Sequence, residues 1–178
     1  MNQPLKIPYM KKSTWFLLIL IVSIVGCKSI KNEVQRRDFV GDIIADEALD
    51  DADFDLCGTE REVFQYFNNG TGLSFEGEKP ALDKNLKERL NKMQFRDEGY
   101  IRVRFIVNCQ GQSGRFRILT SDLNFQASKM QSETVDSILA ACKEIKGWKV
   151  LMYDEVPRDY YQYLSFKIVN GKIQEILP

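Results

Sequence analysis

Gly99-Tyr100-Ile101-Arg102-Val103-Arg104-Phe105-Ile106-Val107 decides the fold, because apolar and basic side chains alternate along it. Successive side chains of a strand point to opposite faces, so Ile101, Val103, Phe105 and Val107 look one way and Arg102 and Arg104 the other. The stretch is a half-buried strand. Asn108-Cys109-Gln110-Gly111-Gln112-Ser113-Gly114 follows, with two glycines available for positive φ, and Phe116 and Ile118 resume the apolar face. The two strands read as a hairpin.

Toward the carboxyl end, Val135, Ile138, Leu139, Cys142 and Ile145 trace one face of a helix that should close at Gly147, with Asp136, Ser137, Lys143 and Glu144 on the other face. After Trp148 to Met152, the segment Tyr160 to Val169 puts Leu164, Phe166 and Ile168 on one side and Tyr161, Tyr163 and Lys167 on the other. Asn170-Gly171 can turn it back into Lys172 to Leu177. Toward the amino end, Leu82, Leu86, Leu90 and Met93 recur at helical spacing behind Pro80, and this helix should end near Phe95. Further upstream, Thr59-Glu60-Arg61-Glu62 has the spacing of a capping box. Val63, Phe64 and Phe67 would share one face of a short helix stopped by Asn68-Asn69-Gly70.

The 178 residues, 28% charged and 44% hydrophobic, suit one globular domain. Histidine is absent, which excludes imidazole-based triads, proton shuttles and imidazole zinc sites. With 25 basic and 25 acidic residues, no overall basic field exists to gather nucleic acid. No enzyme activity, cofactor or metal is expected.

Lys6, Lys11 and Lys12 precede an apolar run from Trp15 to Val25, the layout of a secretory signal over residues 1–26. As a helix the run would reach roughly 17 Å, short of the ~30 Å of bilayer hydrocarbon. It ends in Ile24-Val25-Gly26-Cys27, which resembles the bacterial lipobox, so Cys27 is expected to carry the lipid and become the new amino terminus. Removing 26 of 178 residues leaves 152, and 22 bases against 25 acids leave a formal charge of −3. Lys28 follows the cysteine, which favours the outer membrane, facing the periplasm.

Asp38 to Asp55 holds eight acids and no base, so residues 27–56 are expected to form a lipidated, solvated tether before a domain over 57–178. Asp51, Asp53, Asp55 and Glu62 mimic the spacing of a calcium loop, but Leu56 occupies the position where such a loop needs glycine. Arg102, Arg104, Arg115, Arg117, Tyr161, Tyr163 and Lys167 should share the sheet face opposite the core. The acidic block can fold back onto those arginines and compete with a partner. Exposed ion pairs contribute only ~0.2 to 1 kcal/mol each, so the open tether is expected to be the more populated state.

The mature chain has Cys57, Cys109 and Cys142 besides Cys27, an odd number for an oxidising compartment. Cys142 lies on an apolar helix face, where a free thiol packs as a small hydrophobe. Cys57 and Cys109 sit where a crosslink can reach, which favours a bridge between them over three unpaired thiols.

The succession from Glu76 to Ile168 resembles the TonB carboxyl-terminal domain family, in the stand-alone form of Bacteroidetes-type lipoproteins. Glu76-Gly77-Glu78-Lys79-Pro80-Ala81-Leu82 looks like the family's opening helix, Gly99 to Val107 like its first strand, and Gly111 to Gly114 like its hairpin. Trp148 and Tyr163-Leu164-Ser165-Phe166 complete the likeness. Two features depart from it: Trp148-Lys149-Val150 replaces the family's Trp-x-Pro, and there is no proline-rich spacer. The resemblance implies an α+β fold, a compact antiparallel sheet of three to four strands in β-β-α-β order. A long helix would pack on one face, with short helices before it and the core within residues 76–168. It further implies that the sheet edge near the last strand, with Tyr161, Tyr163, Ser165 and Lys167, receives a strand from an envelope protein such as a TonB-dependent receptor or transport component. The competing expectation is a structural module of an outer-membrane assembly that uses the basic, aromatic sheet face.

If Cys27 is the lipidated residue, intact-mass analysis of membrane fractions will find a chain beginning at Cys27 with added acyl mass. Salt washing will not release it, since several acyl chains at ~0.8 kcal/mol per buried methylene anchor stably.

Overall fold

The computed structural model describes residues 41–65 and 73–178, within one compact unit, Arg37–Pro178. The signal segment, Cys27, and Phe67 to Gly70 lie outside the described residues. The elements run α1 (Glu78–Leu90), β1 (Gly99–Val107), β2 (Ser113–Ser121), α2 (Ser132–Glu144), β3 (Leu151–Tyr153), β4 (Val156–Arg158), β5 (Tyr160–Val169) and β6 (Lys172–Leu177). The fold is α+β: a four-stranded antiparallel sheet in the order β2-β1-β5-β6, a separate β3-β4 hairpin, and two helices.

The alternation in β1 sets the layers. Ile101 pairs with Phe166 and Val103 with Leu164 across the β1-β5 ladder, which directs all four into one buried layer. Leu82, Leu86 and Leu90 of α1 and Ile138, Ala141 and Cys142 of α2 cover that layer. Two helices of 13 residues each therefore share the core face, where one long helix was expected. Met93 lies past the end of α1 and is exposed, because the chain leaves the helix at Asn91. Likewise α2 stops at Glu144, short of Gly147, whose carbonyl accepts the Glu76 N–H instead. Phe105, Phe75 and Trp148 close one end of the core with ring centroids 5.1 Å apart in each Trp148 pair. Burial drives up the pKa of the Cys142 thiol, which stays protonated and inert there.

The short helix expected after Thr59 reduces to one 3-10 turn, Glu60–Glu62. The Glu62 carboxylate accepts from the Thr59 N–H and hydroxyl, both at 2.9 Å, so the capping box is real. The helix fails to propagate because Phe64 is pulled into an extended, parallel bridge with Tyr160. Its N–H donates to Asp159 C=O and its C=O accepts from the Tyr161 N–H, each at 2.8 Å. Tertiary hydrogen bonding overrides a weak local signal.

Cys57 and Cys109 are joined by a disulfide, with Cα atoms 5.9 Å apart and a sequence separation of 52. On the chain-entropy estimate, closing such a loop contributes about 4 kcal/mol. Replacing both cysteines by serine is therefore expected to lower the thermal midpoint by about 8 to 16 °C, read by circular dichroism. A midpoint within about 2 °C of the parent would contradict it.

Candidate functional site

The face of the sheet away from the helices carries Tyr100, Arg102, Arg104 and Ile106 from β1, Arg117 from β2, and Tyr161, Tyr163, Ser165 and Lys167 from β5. Register places Ile106 opposite Tyr161, Arg104 opposite Tyr163 and Arg117, Arg102 opposite Ser165, and Tyr100 opposite Lys167. An extra residue on β2, with Arg115 at φ 53°, bends that strand beside Phe105.

The acidic stretch expected as a solvated tether is packed over one half of this face. Residues 41–56 form a strap. The Arg117 guanidinium donates to both Asp50 carboxylate oxygens, at 2.6 and 3.1 Å, and to Ile44 C=O at 2.7 Å. Arg104 donates to Gly41 C=O. Arg115 holds Glu60 at 2.7 Å. Charge is only part of the contact: Ile43 joins Ile106, Tyr161 and Val63 in a second apolar cluster flanked by Phe54 and Leu56. The Tyr161 hydroxyl accepts the Ile43 N–H at 3.1 Å, and burial outweighs that bond in raising the phenol's pKa. Burial alone would raise the pKa of Asp50 as well, but the hydrogen bonds from Arg117 and the Asp46 N–H outweigh it and hold the carboxyl below 3.8.

Next the strap wraps the β2 side of the sheet. Asp51 pairs with Lys143 of α2 at 2.9 Å, on the opposite side of the sheet from the Asp50 contact. Between them the Phe54 ring lies so close over Gly114 that a Cβ there would come within 2.1 Å of it. Gly114 is therefore needed for this contact and does not take positive φ; Gly111 does, at 75°. The strap ends in a clamp. The buried Asp159 carboxylate accepts the N–H groups of Cys57, Gly58 and Cys109 at 2.9, 3.0 and 2.9 Å. The two sulfurs and this carboxylate lie within 4.8 Å of one another, but sulfurs shared in a disulfide are not thiolate ligands. Of the calcium-like spacing, Asp51 faces Lys143 whereas Glu62 faces Thr59 and Arg158, so the two do not converge.

Tyr161, Tyr163, Ser165 and Lys167 were expected beside an open edge. They lie on β5, an interior strand, because Lys172–Leu177 pairs alongside it as β6. Asp159 and Phe125 escaped sequence reasoning, since nothing in the pattern marks one aspartate before a strand or one aromatic residue in a loop. Comparison of the chain with family models, with curated proteins and with solved structures finds no match. Among the described residues no helix is long and apolar enough to cross a membrane.

Because Asp50 titrates low when docked and at its ordinary value when released, its pairing stabilises the strap above about pH 4 and that contribution is lost as pH falls further. Amide NMR shifts of residues 42–50 should therefore move toward released values below about pH 4. Arg117→Gln should loosen the strap at neutral pH by about 1.5 to 3 kcal/mol and flatten this pH dependence. Unchanged shifts in Arg117→Gln would contradict the ion pair's role.

Proposed function

We propose that this chain is a lipid-anchored binding protein of the bacterial cell envelope, held at the outer membrane on its periplasmic side. It takes an extended segment of an envelope partner as an added strand and performs no chemistry. The observation that supports the reading most directly is the asymmetry of the sheet edges. The β2 edge is shielded by Phe54, by the Asp51–Lys143 pair and by a bridge between Ser121 and Ala127. The upper part of β5 carries the bridge to Phe64. The outer edge of β6 has no strand against it among the described residues, and Lys172, Gln174, Glu175 and Leu177 are exposed along it.

An open strand edge offers a row of main-chain donors and acceptors, which is what strand addition uses. Six residues, a bulge at Gln174 and two charged side chains keep this edge from pairing indiscriminately. The expected receiving strand is thus β6 rather than Tyr161 to Lys167. The likeness to TonB carboxyl-terminal domains and the lipobox at Cys27 supply the compartment and the kind of partner.

Photo-crosslinkers placed in cells at Lys172 and Gln174 should trap one envelope protein that a crosslinker at Lys84 on α1 does not. In the purified complex, the Gln174 and Ile176 amides should gain protection from hydrogen exchange. Equal capture at Lys84, or unprotected β6 amides in a stable complex, would overturn strand addition.

A further inference from the structure

The strap covers only one half of the outer sheet face. On the other half Arg102 faces Ser165, and Lys167 lies two residues further along β5, opposite Glu175 of β6; among the described residues neither cation has a carboxylate within ion-pair distance. Beside them the Phe125 ring stacks on Tyr100, with centroids 4.7 Å apart and planes 17° apart, and the Arg102 guanidinium sits 5.8 Å from the Phe125 centroid. Phe125 remains 60% exposed. Its backbone is held at φ 62°, a conformation costly for a bulky residue, by the Asp122 carboxylate, which accepts the N–H groups of Asn124 and Gln126 at 2.9 and 2.8 Å. A strained loop that holds an exposed aromatic ring beside the Arg102 guanidinium is the arrangement of a contact surface, not of a solvated one.

We propose that this uncovered half, built from Tyr100, Arg102, Phe125, Ser165 and Lys167, docks an acidic, extended polypeptide segment of a partner protein. The chemistry of the occupant follows from the covered half of the same face. There the arginines already bind an acidic stretch in two ways, through a carboxylate on Arg117 and through main-chain carbonyls on Arg104 and Arg117. Arg102 and Lys167 repeat those donors one step along the strands, next to an aromatic stack that fits an apolar side chain of the same segment.

Neither stretch of the sequence outside the described residues is acidic. Residues 1–40 carry seven basic and two acidic side chains, and residues 66–72 carry no charge. The acidic block from Gly41 to Leu56 is committed to the other half by Asp50, Ile43 and Phe54. The proposed acidic segment is therefore one of another protein. The surface is a sheet face read by side chains, distinct from the β6 edge read by main chain, so either proposal can fail alone.

A synthetic peptide with the sequence of residues 41–56 is a suitable probe, added in trans to the full-length chain in non-ionic detergent, where the chain's own copy occupies the Arg104 half. Binding should shift NMR signals of Tyr100, Arg102, Phe125 and Lys167, and weaken with salt. A neutral version with Asn and Gln for its acids should bind about tenfold more weakly. Arg102→Gln combined with Lys167→Gln should lower affinity about tenfold, and Phe125→Ala several-fold, with the Ile43 and Asp50 signals and the thermal midpoint unchanged. Equal binding of the neutral peptide would overturn the proposal, as would shifts confined to the Arg104 and Arg117 half or to β6 amides. It also fails if the Arg102- and Lys167-dependent binding occurs only with vesicles of anionic lipid and not with the peptide.

Discussion

Three main-chain N–H groups converge on one buried carboxylate, Asp159, and the arrangement of the outer face depends on that convergence. They come from the end of the strap, Cys57 and Gly58, and from the β1-β2 hairpin, Cys109, while Asp159 itself stands immediately before β5. A buried carboxylate is costly unless its oxygens are hydrogen-bonded, and here both are. The Cys57–Cys109 disulfide fixes the same junction covalently. Asn108 adds a side-chain bond to Asp55 C=O at 3.0 Å while its own oxygen accepts the Gln110 and Gln112 N–H groups. Strap, hairpin and β5 are thereby brought to one point, from which the strap can only run back across the Arg117 side of the sheet.

Much of the fold was legible because its signals are local. The alternation of Gly99 to Val107, the leucine spacing of α1 and the apolar stripe of α2 each encode a buried face directly, and the structure buries those faces. The β3-β4 hairpin was not legible: its turn is Asp154-Glu155, both at positive φ, with neither glycine nor asparagine to mark it. The Phe64 bridge and the Asp159 clamp were hidden for another reason. Both are pairings across about 100 residues, and single-sequence periodicity carries no information about them. Of the candidate surface, the four arginines and the β5 side chains were assigned to one face from alternation alone. What covers half of them depends on apolar contacts of Ile43, Phe54 and Leu56, which sit inside an acidic run and were outweighed by its charge.

The sheet edges show the same economy of placement. An antiparallel sheet that is closed by helices on one face still has two exposed edges, and each is a liability unless covered or used. The strap shields β2 with side chains while making no ladder against it, and the loop after β2 adds a single bridge at Ala127. β6 is left with charged residues, a bulge and only six positions. An edge so treated resists random pairing but admits a complementary segment. The expectation of strand addition therefore moved by one strand without changing its physics.

Magnitudes decide whether the strap is a cover or a gate. Exposed ion pairs contribute ~0.2 to 1 kcal/mol each and would leave the strap mostly open. The Arg117–Asp50 pair, however, retains only 18% and 12% of its side-chain exposure, so that contact is largely shielded from solvent and salt. Burying Ile43 at 3% exposure contributes about 1.5 to 3 kcal/mol more, and the Phe54 ring seated on Gly114 adds to it. The disulfide then holds the strap beside its site, so rebinding competes at high effective concentration with any external segment. Displacing the strap would require a partner to replace the apolar contacts as well as the charges. The covered half of the face thus acts as structure at neutral pH, and the recognition proposed above falls to the surfaces the strap does not reach: the Tyr100–Phe125 half and the edge of β6.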